Sequence, residues 1–206
     1  MQFVGTCIFL TAMLAYAGAS LADEPVATAV PALSPNGYAS ELNGLVDEEM
    51  RKWASDPLVV GTLSAHSKAT DYMSASEMRA LDATWRSELK KNNNALAAQT
   101  LNNPLADYLR DVMRKGAGMY TEIIAADAQG VAVAMTSPNA VYWQGKEECW
   151  SQTAGKKSPS PYIGPVRFSD DTGLFQADVA FAVFEGENLV GMIRAGVDVE
   201  RFDRRF

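Results

Sequence analysis

Residues 118–136 read GMYTEIIAADAQGVAVAMT, and the period of the apolar residues changes inside this stretch. From Tyr120 to Ala126 the chain is rich in β-forming residues and predicts a strand. Asp127-Ala128-Gln129-Gly130 is turn chemistry, and Val131 to Thr136 returns as a second strand, which makes a hairpin. The order of everything else follows from where this switch falls: helical periodicity lies before it and strand periodicity after it.

Upstream, Leu42, Leu45, Val46, Met50 and Trp53 recur at three- and four-residue steps and predict one long helix from about Tyr38. Asp56-Pro57 reads as a helix cap followed by proline in the first turn, with Leu58, Val59 and Leu63 as the apolar side. Ser74 and Glu77 have the spacing of a capping box. Met78, Leu81, Trp85 and Leu89 then mark a third helix, ended by Asn92-Asn93-Asn94. Asn103-Pro104 opens a fourth helix, whose stripe is Leu105, Tyr108, Leu109, Val112 and Met113. Arg114 and Lys115 suit its C-terminal dipole, and Gly116 can stop it.

Downstream, Tyr162–Phe168 predicts a third strand and Ser169–Gly173 a turn. Leu174–Phe184 is a long strand with Phe175, Val179, Phe181 and Val183 on one face. Glu185–Asn188 turns the chain into a last strand, Leu189–Val199. Helices followed by an antiparallel meander give an α+β domain, with helices on one face of a five-stranded sheet. The other face then needs a cover. Ser137–Pro161 is far longer than a hairpin loop, holds Tyr142, Trp143 and Trp150, and predicts a lid with a short helix within Gly145–Gln152.

The 206 residues suffice for one ordinary domain, and 48% of them are apolar. A net charge of −7 argues against nucleic acid and against docking on anionic lipid. Phe3 to Leu14 is apolar, small residues run from Ala15 to Ala22, and Ser20 and Ala22 occupy the positions that a signal peptidase reads. The expectation is a signal peptide over 1–22, a linker over 23–37 containing Pro25, Pro31 and Pro35, and a domain over 38–206, in the periplasm or secreted. The alternative is an uncleaved anchor, against which the apolar run is short. After cleavage nothing remains to insert in a membrane. Cys7 leaves with the signal, so the mature chain holds one thiol, Cys149, and no internal disulfide.

Catalytic signals are few. The one histidine, His66, sits on a helix with no partner visible in sequence. Asp170-Asp171 is turn chemistry, and Glu147-Glu148 reads as a solvated face of the lid helix. No catalytic residue, metal site or cofactor is expected. The candidate ligand-binding residues are Tyr142, Trp143, Gln144 and Trp150 in the lid, whose rings can wall a pocket or simply cover the sheet. Asp178 and Arg194 join them as a cross-strand pair, either a ligand clamp or a surface salt bridge.

Leu81-Asp82-Ala83-Thr84-Trp85-Arg86, then Ile123-Ile124-Ala125-Ala126-Asp127-Ala128-Gln129-Gly130, then Tyr142-Trp143-Gln144-Gly145 with Trp150, and finally Gly191–Val199 stand in an order that resembles a single Cache domain. This is an extracellular, PAS-like (PDC) sensor module, and the resemblance covers about Tyr38 to Phe202. It implies a long N-terminal helix, a five-stranded antiparallel sheet and a ligand pocket beneath the lid. The chain resembles the solitary, secreted version. The expected function is a sensor that binds a small organic molecule, performs no reaction, and relays occupancy to a membrane receptor such as a sensor kinase or cyclase. The alternatives are a protein-binding module without ligand, or an enzyme using Cys149.

Overall fold

The computed structural model describes residues 35–91, 95–139, 141–170 and 172–204. The expected signal peptide and most of the expected linker lie outside them, as do Asn92–Asn94 and Asp171. Helix α1 (Pro35–Leu45) begins three residues ahead of its expected start, with proline in the first turn. It passes through a π-helical turn, Val46–Met50, directly into α2 (Arg51–Ala54). Leu42, Leu45, Val46 and Met50 are buried, as the spacing predicted, Trp53 is half-buried, and Tyr38 is buried as well.

The caps hold as read. Asp56 accepts from Leu58 N at the start of α3 (Pro57–Thr70). Ser74 and Glu77 bond reciprocally ahead of α4 (Ala75–Lys91). Asn103 accepts from Ala106 N before α6 (Pro104–Lys115). Between them α5 (Ala95–Leu101) was not foreseen: seven residues are too few for a clear stripe. Leu58, expected in the core, is exposed, while Val59 and Leu63 are fully buried. Helix α6 stops at Gly116 as read, though Gly116 keeps right-handed dihedrals and the left-handed residues are Ala117 and Gly118.

Strands β1 (Tyr120–Asp127), β2 (Ala132–Met135), β3 (Tyr162–Ile163), β4 (Arg167–Ser169), β5 (Leu174–Glu185) and β6 (Asn188–Asp198) form one antiparallel sheet. Its order is β2–β1–β6–β5–β3, with β4 also on β5. The expected meander is therefore corrected: the first strand lies against the last, Ile124 opposite Arg194. The expected third strand is two pieces because Gly164-Pro165 interrupts it, and proline has no N–H for the ladder. Gly164 N still donates to Asp178 O at 2.7 Å. The last strand stops at Asp198, whose carboxylate accepts from Glu200 N and Arg201 N and starts α8 (Val199–Asp203).

Alternation divides the sheet cleanly. Ile123, Ala125, Val179, Phe181 and Ile193 face α1–α3 and α6 in the main core. The other face has two covers. Ile124, Ala132 and Met135 pack with Met78 and Trp85 of α4, Ala97 of α5, and Tyr142. Ala126, Ala180 and Met192 pack with Cys149 and Ala154 of the lid. Helices thus lie on both faces, α4 and α5 sharing the second with the lid.

Candidate functional site

The lid is held at its base by the β1–β2 turn and by α4. Asp127 Oδ1 accepts from Gln129 N and Val131 N, which fixes the turn. Gln144 N donates to Gly130 O at 2.6 Å, and the Trp143 indole N–H donates to Gln129 O at 2.9 Å. Asp82 Oδ1 accepts from Tyr142 N and Trp143 N. The Trp85 indole N–H donates to Asn139 O at 2.7 Å, and its ring stacks on Tyr142 with centroids 5.3 Å apart. Beyond this base, helix α7 (Glu148–Gln152) lies within the span expected of the lid helix and seats Cys149 on the sheet.

Where the lid meets the strand ends it encloses a cavity of about 380 Å³. Its floor is the pair expected from the strand pattern: Arg194 Nη2 lies 2.9 Å from Asp178 Oδ1. A third partner, Glu122 of β1, stands 3.1 Å from the same nitrogen. The Arg194 side chain is 15% exposed and that of Glu122 16%, so this is a cluster under the lid and not a surface bridge. Glu147, Glu148 and Cys149 form the roof, and Tyr162 and Arg167 a wall. Glu147 and Glu148, read as a solvated face, in fact overlook the cavity.

The expected lid residues are placed elsewhere. Tyr142 is buried in the contact between lid base and α4 and lines a different cavity. The Trp143 ring is fixed by Gln129 O and covered by Lys146, 5.4 Å from its centroid. Gln144 is fully buried, with its amide N–H on Val141 O and its Oε1 unpartnered. Trp150 packs beside Ala154 in the second-face core, and its buried indole N–H has no partner. None of these four lines the cavity at Arg194, which the neighbouring residues Glu147, Glu148 and Cys149 roof instead. Glu122 was missed because nothing in the sequence shows β1 beside β6. His66, in contrast, does have an orienting partner: its Nδ1 lies 2.8 Å from the buried Asp127 Oδ2.

Burial pushes the Cys149 thiol up to about 12, with Asp178 adding to the rise. At neutral pH the thiol is protonated and a poor nucleophile, which removes the support for an enzyme built on it. Burial also raises Tyr142 to about 12, against a lowering hydrogen bond from Thr100. Both groups are neutral when protonated, and both have folded pKa values above their unfolded ones. Between about pH 9 and 12 the unfolded chain therefore loses protons that the folded chain keeps. Stability is expected to be complete below that window and to fall as pH rises through it, by up to about 1.4 kcal/mol per pH unit for each group. Urea midpoints measured from pH 8 to 11 test this. Cys149→Ala should shallow the decline, and an unchanged slope in that variant would contradict the assignment.

A larger cavity, about 890 Å³, lies between the α1–α2 run and α6. Leu45, Trp53 and Val112 contribute its apolar surface, and Glu41, Glu48 and Asp111 its acidic rim. It is distant from the buried ionic cluster. Among the described residues there is no group of three or more potential metal ligands, and no helix is long and apolar enough to cross a membrane.

No protein-family model matches the sequence, and no curated protein does. Solved structures similar to this fold include the sensor domain of Escherichia coli DcuS, 10% identical with a TM-score of 0.48, over 81% of this chain and 97% of that one. The sensory domain of the Campylobacter jejuni chemoreceptor Tlp3 is 9% identical with a TM-score of 0.40, over 83% of this chain and 67% of that one. The sensor domain of the Vibrio cholerae histidine kinase DctB is 13% identical with a TM-score of 0.35, over 81% of this chain and 60% of that one. All three are sensor domains.

Proposed function

We propose that this protein is a non-enzymatic sensor whose cavity between lid and sheet binds a small molecule bearing an ammonium group. The observation that carries the reading is the position of Arg194 between Glu122 and Asp178 at the cavity floor. Two carboxylates stand against that one guanidinium and outweigh its charge, which disfavours an added anion. Glu147, Glu148 and Asp178 outnumber Arg167 and Arg194 on the walls, leaving negative potential for a cation. Asp178, with a side chain 36% exposed, is the acceptor nearest to open space. Arg167 suits a ligand carboxylate at the outer end, so a zwitterion fits as well as a simple amine. In this reading the protein works in the periplasm, and a membrane receptor such as a sensor kinase or cyclase reads the occupied state. A ligand shifts such a state only by binding it more tightly than the empty one, and closure of α7 over the cavity supplies that difference.

The test compares three probes of similar size, alanine, propylamine and propionate, by thermal shift. Alanine and propylamine should raise the melting temperature and propionate should not. Asp178→Asn should weaken the response about tenfold or more, as loss of a charge-assisted hydrogen bond requires. Equal stabilisation by propionate, or no response to either amine, would overturn the reading.

A further inference from the structure

A second cavity, of about 290 Å³, opens beside the edge strand β2 between α3, α5 and the start of α6. It differs in character from the first. No carboxylate or guanidinium lines it. Its apolar surface comes from Leu58, Pro104, Leu105, Ala132 and Val133, and its polar groups include His66, Thr62 and Tyr142. The Tyr142 hydroxyl is engaged with that of Thr100. Asn103 is also spent, its amide donating to Val133 O and its Oδ1 accepting from Ala106 N.

Thr62 and Gln99 also line the cavity, and His66 is the polar group there that a buried carboxylate orients. Asp127 Oδ2 also accepts from the Thr70 hydroxyl at 2.6 Å, while Oδ1 takes the two backbone N–H groups of the turn. All of its partners are donors, so in the neutral ring the proton sits on Nδ1 and Nε2 is left as an acceptor. The carboxylate also fixes the plane of the ring, whose side chain is one third exposed and borders the cavity. An oriented acceptor in an uncharged, largely apolar recess selects against ions and for a hydrogen-bond donor on an apolar body.

We propose that this cavity is a second ligand site, taking a small uncharged alcohol or phenol whose hydroxyl donates to His66 Nε2. The site is independent of the one at Arg194. His66 is the chain's single histidine, so the sequence gives one imidazole Cε1–H NMR signal, and it reports the site alone. Benzyl alcohol should move that signal saturably. Toluene, which has no donor, should bind about tenfold more weakly. Benzoate and propylamine should leave the signal in place. His66→Phe should erase the preference for benzyl alcohol over toluene, read then from amide shifts of Thr62 and Ala132. Because that variant strands Asp127, Thr62→Leu serves as a second one: it fills the cavity, keeps the His66–Asp127 pair, and should abolish the response. Equal binding of toluene and benzyl alcohol, or an undiminished response in Thr62→Leu, would overturn the proposal while leaving the amine site untouched.

Discussion

Trp85→Ala is expected to lower the free energy of unfolding by about 3–5 kcal/mol, the range for removing a fully buried indole. The side chain has no exposed surface and joins α4 to the second face of the sheet through Met78, Ile124 and Met135. It also carries a hydrogen bond to Asn139 O and the stacking contact with Tyr142, so its loss frees the lid base as well as opening a void. Trp85→Phe separates the two effects. It keeps most of the ring volume and loses the indole N–H, leaving Asn139 O without its donor, for about 1–3 kcal/mol. Urea denaturation reads both. A loss below about 1 kcal/mol for the alanine variant would mean that α4 is an appendage and not part of the core.

Gly130→Ala is expected to cost about 2–5 kcal/mol, from backbone strain and a forced displacement together. Gly130 has φ +82°, where an L side chain is strained, and an added Cβ would stand 2.5 Å from Gly145 N. The neighbour is backbone and cannot rotate away. The lid must therefore lift, breaking the bond from Gln144 N to Gly130 O and loosening the Trp143 ring from Gln129 O. Hydrogen exchange should show the Gln144 amide losing protection while the β5–β6 ladder keeps its own. Gly173→Ala is the control: its φ is +69° but nothing lies within 4 Å of the new methyl, so only strain of about 1 kcal/mol remains. Equal losses in the two variants would show that the lid is not seated through Gly130.

The fold was legible wherever local chemistry decides. Asp56, Ser74 and Asn103 mark helix starts by hydrogen bonds that reach only two or three residues. Alternation along β5 and β6 placed Asp178 and Arg194 on one face because two strands joined by a tight turn pair in register. What escaped depends on contacts distant in sequence. The pairing of β1 with β6 brings Glu122 to Arg194 across more than seventy residues, and no periodicity in either strand encodes it. The orientation of His66 by Asp127 crosses from α3 to the hairpin turn and was hidden for the same reason. In the lid, aromatic content identified a segment of consequence but not which side chains face open space. Rings won the buried places at its base, and the carboxylates of Glu147 and Glu148 were left over the cavity.

The turn of π-helix at Val46–Met50 has a kinematic consequence for the N-terminal run. An α-helix winds about 100° per residue, and a π turn takes up one residue more than an α turn. Buried positions nevertheless run straight through it at four-residue steps, Tyr38, Leu42, Val46, Met50 and Ala54, so the wider turn keeps one row of side chains on the core. Restoring ordinary winding there would turn α1 about its own axis and also push it outward, because an α-helix rises more per residue than the wider π turn. A change of winding at this one turn would therefore reach the start of α1 as a rotation coupled to a push, the movement of a screw.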